Sequence, residues 1–279
     1  MIDIIKFNYI YVTGPARVGS SNWCYSLIDY LDKISKEKKR YEQNKNIINT
    51  INEFTLNDKT IKVFHGHNNQ NLDFLLKNKT NNLIICGIRD PVEQIISNIN
   101  KHHRKEEINV CYFKKDEYVS VKSKINFKVW REYTNYLKRY EKNKNINLKE
   151  NKYSSSYLFQ KYFYLIDWYN DFFSKINYNI KENVNSFDKE KGYKIINIDT
   201  NTIILYRLDK LNSFKDDIYN QFKIYLSEDK IYSSNTKSFF KNNFKLNSSI
   251  LNYLLINDIY KYFYSEDEIN EMYKKHLSD

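Results

Sequence analysis

Tyr9–Ile28 reads YIYVTGPARVGSSNWCYSLI, a short apolar run joined to a helical pattern through a loop shaped for phosphate. Tyr9–Thr13 has the composition of a buried strand, and beyond the loop Trp23, Leu27, Leu31 and Ile34, flanked by Cys24 and Ile28, recur at helical spacing. Between them stand Gly14, four residues, Gly19, then Ser20 and Ser21. This is the length of a Walker-A phosphate loop, G-x-x-x-x-G-K-[ST], with Ser20 where the lysine belongs. The lysine of a true Walker loop reaches the β- and γ-phosphates. A loop without it still wraps one phosphate with backbone N–H groups at a helix N-terminus, with Arg17 as its fixed cation.

Working outward, Ser35–Asn57 is highly polar, with the basic run Lys36–Arg40 and a weak helical pattern around Ile47–Phe54, which reads as a peripheral insertion. Ile61–Phe64 is a second strand ending in His65-Gly66-His67, Asn71–Lys77 a short helix, and Leu83–Ile88 a third strand. That strand runs into Arg89-Asp90-Pro91-Val92-Glu93, where Asp90 fits the N-cap, Pro91 the first helical position and Glu93 the N3 place of a capping box. Strands separated by helices imply parallel pairing, and ligands of such sheets sit beyond the carboxyl ends of the strands. The Gly14 loop, the histidines and Arg89 all fall at such ends.

Farther on, Lys101–Lys124 is irregular and basic, Phe127–Tyr140 fits an amphipathic helix, and Glu141–Ser156 is a polar connector. Tyr157–Ile176 reads as an aromatic-rich helix, Ile203–Leu208 as a further strand, and the chain from Asp216 onward as mostly helical. A lone parallel strand at 203–208 needs the N-terminal sheet. The expected architecture is therefore one α/β domain over residues 1–279: a three-layer, P-loop-type parallel sheet flanked by helices, with a helical C-terminal region.

Composition narrows the classes. The chain has 279 residues, 41% of them hydrophobic, enough for a substantial core. Scarce Gly (5) and Pro (2) beside abundant Lys, Asn, Ile and Tyr read as codon bias, so the 26 tyrosines carry little functional weight. A net charge of +11 favours an anionic partner without naming it. Cys24, Cys86 and Cys111 are odd in number and lack metal-ligand spacing, which argues against a disulfide framework or zinc site and for a reducing, cytoplasmic setting. No run approaches the roughly 18 to 20 apolar residues of a membrane span.

Two groups of residues carry chemistry. Arg89 ends a strand, and Ser97 lies seven residues after Asp90, almost two helical turns on, which returns it to the face of the cap. A guanidinium and a hydroxyl so placed suit one phosphate. His65 and His67, two residues apart, share a face if the strand continues. Either meets the need of a general base, a neutral imidazole within hydrogen-bond reach of a hydroxyl. Lys62 and Lys237 are further candidates for charge at a nucleotide, and Glu53 is a fallback base. His102 and His103 sit in a basic stretch and read as surface. Two histidines without a carboxylate or cysteine pattern do not define a metal site.

A loop of the type G-x-x-R-x-G-[ST]-[ST] on the first strand, followed by strand-R-[DN]-P-x-x-x-x-x-S, resembles the two nucleotide signatures of sulfotransferases that use 3′-phosphoadenosine-5′-phosphosulfate. The resemblance implies that Gly14, Arg17, Gly19, Ser20 and Ser21 hold the 5′-phosphosulfate, with Arg17 also serving the leaving group, and that Arg89 and Ser97 hold the 3′-phosphate. It also implies a histidine base at His65 or His67. ILYRLDKL, residues 204–211, is similar to the family's R-x-E-D-L strand end, with Asp209 for the usual glutamate and Lys210 for the usual aspartate. Ser234-Asn235-Thr236-Lys237, Phe239-Phe240-Lys241 and Tyr262–Ile269, together with Trp168–Lys175 and Phe187–Tyr193, resemble the branch described as capsular polysaccharide synthesis proteins.

By that resemblance the chain is expected to transfer a sulfuryl group from the phosphosulfate donor to a hydroxyl of a carbohydrate or related acceptor, with no metal and no nucleic-acid partner. Two other readings stay open on the residues alone. The loop length suits a P-loop kinase or NTPase, opposed by Ser20, and the positive charge suits a module that binds an anionic polymer. Acceptor identity lies with segments 35–60, 101–126 and 141–156, where fold-level resemblance does not carry over.

Overall fold

Side chains buried on both sides of the backbone leave the first strand, β1 (Tyr9–Thr13), no solvent face: Ile10 and Val12 point one way, Tyr11 and Thr13 the other, and all four are buried. The computed structural model describes residues 3–15, 18–41, 51–56, 58–67, 69–102, 113–114, 117–118, 165–226 and 248–277. The expected features at Phe127–Tyr140, Glu141–Ser156, Tyr157–Tyr164 and Ser234–Lys241 lie outside these residues, as do Arg17, His103 and Cys111.

After β1 come β2 (Glu37–Tyr41), β3 (Ile51–Leu56), β4 (Lys59–His65), β5 (Asn82–Ile88), the two-residue strands β6 (Phe113–Lys114) and β7 (Glu117–Tyr118), β8 (Tyr193–Ile198) and β9 (Asn201–Arg207). Seven of them form one sheet in the order β2-β3-β4-β1-β5-β9-β8. Its centre, β4-β1-β5-β9, is parallel. The flanks are antiparallel: β2 with β3, β3 with β4, and β8 with β9.

The sheet is thus mixed, which corrects the expectation of a purely parallel one. The polar segment read as an insertion with helical character around Ile47–Phe54 supplies two strands instead. In Ile51–Leu56 the alternate residues Phe54 and Leu56 are buried, and Asp58, at φ +64°, helps turn the chain tightly into β4. Burial at every second position outweighs a short 3.6-residue pattern. The strand at 203–208 is not lone either: a turn through Asp199, at φ +52°, pairs β9 with β8.

The helices are α1 (Ser20–Ile34), α2 (Gln70–Lys77), α3 (Pro91–His102), α4 (Leu165–Lys175), α5 (Leu211–Phe222), α6 (Ser248–Leu255), α7 (Asp258–Phe263) and α8 (Glu266–His276). Trp23, Leu27 and Leu31 of α1 and Phe214, Ile218 and Phe222 of α5 share one apolar cluster with Ile10, Val12, Ile61, Val63, Leu83, Ile85 and Ile204. Each such side chain contributes roughly 1.5–3 kcal/mol when fully buried, so packing, more than helix propensity, fixes α1 at the end of the loop.

The chain groups into two compact units. The first holds Met1–Arg89, Trp168–Ser233 and Lys261–Ser265, and contains the seven-stranded sheet. The second holds Asp90–Asp167, Ser234–Tyr260 and Glu266–Asp279. In it α3 and α8 both pack on α6, burying Leu251, Leu254 and Leu255.

Candidate functional site

Parallel register sets the stage in the first unit. Val12 of β1 lies opposite His65 of β4, and Thr13 opposite Cys86 of β5, so the loop that leaves β1 starts between the histidine end of β4 and the arginine end of β5. Gly14 turns the chain off the strand. Gly19, at φ +81°, delivers it into α1, and a Cβ there would also meet Leu208 Cδ1 at 2.5 Å. Ser20 and Ser21 then open α1, whose N-cap residue supplies no side-chain hydrogen bond and whose first turn has no acidic residue. An uncapped, acid-free helix start offers N–H groups and a positive dipole end to an anion.

The loop is braced from the sheet. Tyr206 of β9, fully buried, donates its hydroxyl to the Val18 carbonyl at 2.8 Å. It passes over Gly87 of β5, where a Cβ would lie 2.4 Å from the phenol ring, so only glycine admits the contact. Burial, and secondarily the Cys86 thiol, push the Tyr206 phenol far above its ordinary value, which keeps the hydroxyl a donor at all working pH.

Both histidines reach the loop. His65 Nε2 and Ser20 Oγ are 2.9 Å apart, with Ser20 almost wholly buried. His67 Nδ1 lies 2.8 Å from the Gly14 carbonyl oxygen. The two rings meet edge to face with centroids 5.2 Å apart, although β4 ends at His65 and the shared face expected of a continued strand does not apply. Trp168 of α4 donates its indole N–H to the His67 carbonyl at 2.9 Å, and Asn69 Nδ2 donates to the Trp168 carbonyl at 2.9 Å. Tyr169 donates to the Gly87 carbonyl at 2.8 Å. These aromatic braces carry no sequence signal, because Tyr206 and Trp168 become partners of the loop only through β-sheet register and helix docking.

Of the residues singled out in the sequence, Gly14, Gly19, Ser20, His65 and His67 come together within the first unit, and Ser21 follows Ser20 on α1. Arg89 follows the last residue of β5 in that unit, while Ser97 lies on α3 in the second. Lys62 sits in the middle of β4, three residues before His65, in register with Tyr9 at the start of β1 and paired with Glu53 at 3.3 Å. Arg207, in the strand end similar to R-x-E-D-L, is buried and donates to both Asp209 oxygens, at 3.3 and 2.6 Å, and to the carbonyls of Lys189 and Phe263, both at 3.2 Å.

In the second unit Asp90 caps α3 as its sequence predicts, Oδ1 accepting from the amides of Val92 at 2.8 Å and Glu93 at 3.1 Å. Its Oδ2 lies 3.0 Å from Nε2 of His276, a fully buried residue that no sequence pattern marks, and Lys275 pairs with Glu93 at 2.7 Å. Burial pushes the Asp90 carboxyl up, but the hydrogen bond and charge of His276, the Glu93 amide and Lys275 outweigh it and hold the group below its ordinary value. Asp90, Glu93 and His276 place ligand atoms within 4.8 Å of one another, the one such group among the described residues. The Lys275 ammonium already supplies positive charge there, and Asp90 Oδ1 is committed to the helix amides. Among the described residues no helix is long and apolar enough to cross a membrane. Neither family models, nor curated proteins, nor solved structures yield a match to this chain.

Proposed function

We propose that this chain is a sulfotransferase that moves a sulfuryl group from 3′-phosphoadenosine-5′-phosphosulfate to a hydroxyl of a carbohydrate or related acceptor. One observation carries the reading: the Gly14–Ser20 loop and Arg89 leave the carboxyl ends of adjacent parallel strands, with His65 ending the strand at the other side of β1 and His67 just beyond it. A nucleotide with phosphates at its 5′ and 3′ positions is the ligand that two neighbouring anion sites suit. A three-layer, P-loop-type arrangement of helices about the central parallel strands belongs to the same reading.

In this scheme the start of α1, Ser20, Ser21 and Arg17 take the 5′-phosphosulfate, and Arg89 takes the 3′-phosphate. The acceptor oxygen forms its bond to sulfur as the bond from sulfur to the bridging phosphate oxygen breaks. The acceptor proton passes to a histidine at the end of β4, and adenosine 3′,5′-bisphosphate leaves. The N–H groups at the loop and Arg17 oppose the charge that builds on that bridging oxygen. A metal ion is not required by this scheme, the setting is cytoplasmic, and capsular polysaccharide is the acceptor class that the family resemblance suggests.

Calorimetry tests it. Adenosine 3′,5′-bisphosphate is expected to bind well above AMP, and Arg89→Ala to weaken that binding by about 1.5 to 3 kcal/mol, the range for hydrogen bonds to charged groups. Equal affinity for bisphosphate and AMP would remove the second anion site and with it the sulfuryl donor.

A further inference from the structure

Resting on the reading just given, we infer that Trp168 and Tyr169 are positioning residues: Trp168 fixes the acceptor end of the site and Tyr169 the donor end. β4 and β5 flank β1, two strand spacings or roughly 10 Å apart. Consecutive residues of a helix point about 100° apart, and this pair on α4 reaches the ends of both strands. Trp168 donates its indole N–H to the His67 carbonyl at 2.9 Å, and Tyr169 donates its hydroxyl to the Gly87 carbonyl at 2.8 Å.

The Trp168 end is a two-point clamp. β4 ends at His65, so the His67 peptide lies beyond the strand. The indole of Trp168 holds that peptide, while the Trp168 carbonyl accepts from Asn69 Nδ2 at 2.9 Å, two positions farther along. Both Trp168 and Asn69 are buried, and Phe172 stacks on the indole with centroids 5.5 Å apart and 11° between the planes, which fixes the direction of its N–H. The Tyr169 end sits where β1 leaves the sheet. The β1–β5 register runs to Thr13 opposite Cys86, so Gly87 is one residue beyond it. A Cβ on Gly14 would lie 3.3 Å from the Gly87 oxygen, which sets that carbonyl against the first residue of the segment joining β1 to α1. Tyr169, fully buried, supplies a donor there, and Arg89 follows two residues after Gly87.

Two conservative variants of the full chain separate the ends, because each keeps an aromatic ring and removes one proton donor. Trp168→Phe is expected to lower kcat about 10- to 100-fold, the cost of misplacing a reacting group by about 1 Å, with adenosine 3′,5′-bisphosphate affinity within about twofold of the parent. Tyr169→Phe reverses the split: bisphosphate affinity falls about 3- to 10-fold, and kcat at saturating donor stays within about threefold. Asn69→Ala is expected to lower kcat as Trp168→Phe does, and the two together to cost less than the product of their separate effects, since both release the same peptide. Lower urea midpoints with kcat and affinity unchanged make the pair purely structural and overturn the inference, as does an equal loss of both quantities in both variants. Amide NMR without substrate checks the geometry apart from the reaction. Trp168→Phe is expected to shift the signals of His67 and Asn69, and Tyr169→Phe those of Gly14 and Gly87; unmoved signals at either pair remove that clamp. A parent protein that does not bind the bisphosphate sinks the sulfotransferase reading instead, and the amide signals then decide whether each residue holds its strand end.

Discussion

The carboxyl ends of β4 and β9 carry polar side chains of similar promise and opposite use. At β9 the Arg207 guanidinium is spent: it grips both Asp209 oxygens and two backbone carbonyls and lies 4.0 Å under the Tyr264 ring. At the end of β4, His65 and His67 contact one hydroxyl and one carbonyl of the segment that joins β1 to α1. An arginine at a strand end looks like an anion site in sequence, yet its donors here face acceptors that belong to the fold. Commitment of the donors, more than residue type, separates structure from site. Arg207→Met should break this contrast most visibly. It is expected to lower stability by about 3 kcal/mol, the low end for breaking a buried ion pair, because the half-exposed Asp209 regains water while two carbonyls lose their donor. Urea midpoints check it. An unchanged midpoint with weakened nucleotide binding would move Arg207 into the site.

What the sequence made legible follows the same line. The loop, the three strands around it, the Asp90 cap and the strand at 203–208 each have a local signal: an apolar run, paired glycines, Asp-Pro before a helix. β2, β3 and β8 were misread or missed because antiparallel flank strands are specified by partners. Phe54 and Leu56 are core residues only once β4 lies beside them. The Tyr206 brace was invisible for a related reason, since its hydroxyl finds Val18, 188 positions away, across the gap that Gly87 leaves. Tyr206→Phe sharpens the contrast between loop and scaffold. It is expected to cost about 1 to 1.5 kcal/mol by leaving a buried carbonyl without its donor, and to weaken bisphosphate binding several-fold, reaching about tenfold at most. Lost stability with unaltered affinity would mean that the loop does not hold the nucleotide.

His276 supplies the control for the histidines of β4. Like His67 it engages an oxygen, but the oxygen is a carboxylate that also caps a helix, so here the imidazole acts as a clamp. The consequence is readable in acid. Asp90 is held below its ordinary pKa, so its contribution to stability is fully present above the unfolded value, about pH 4, and is lost as pH falls through the folded value. Asp90→Asn keeps an N-cap oxygen for the amides of Val92 and Glu93 and puts an uncharged amide NH2 in place of the charged Oδ2 that faces His276 and Lys275. Near neutrality it is expected to cost about 1 kcal/mol, the difference between a charge-assisted and a neutral hydrogen bond, and the cost should fade below about pH 4. Urea midpoints of both proteins from acid to neutral pH measure this directly. A gap that stays constant across the range would place the cost in the cap geometry and strip His276 of its role as an ionic clamp, leaving it no different in kind from the pair on β4.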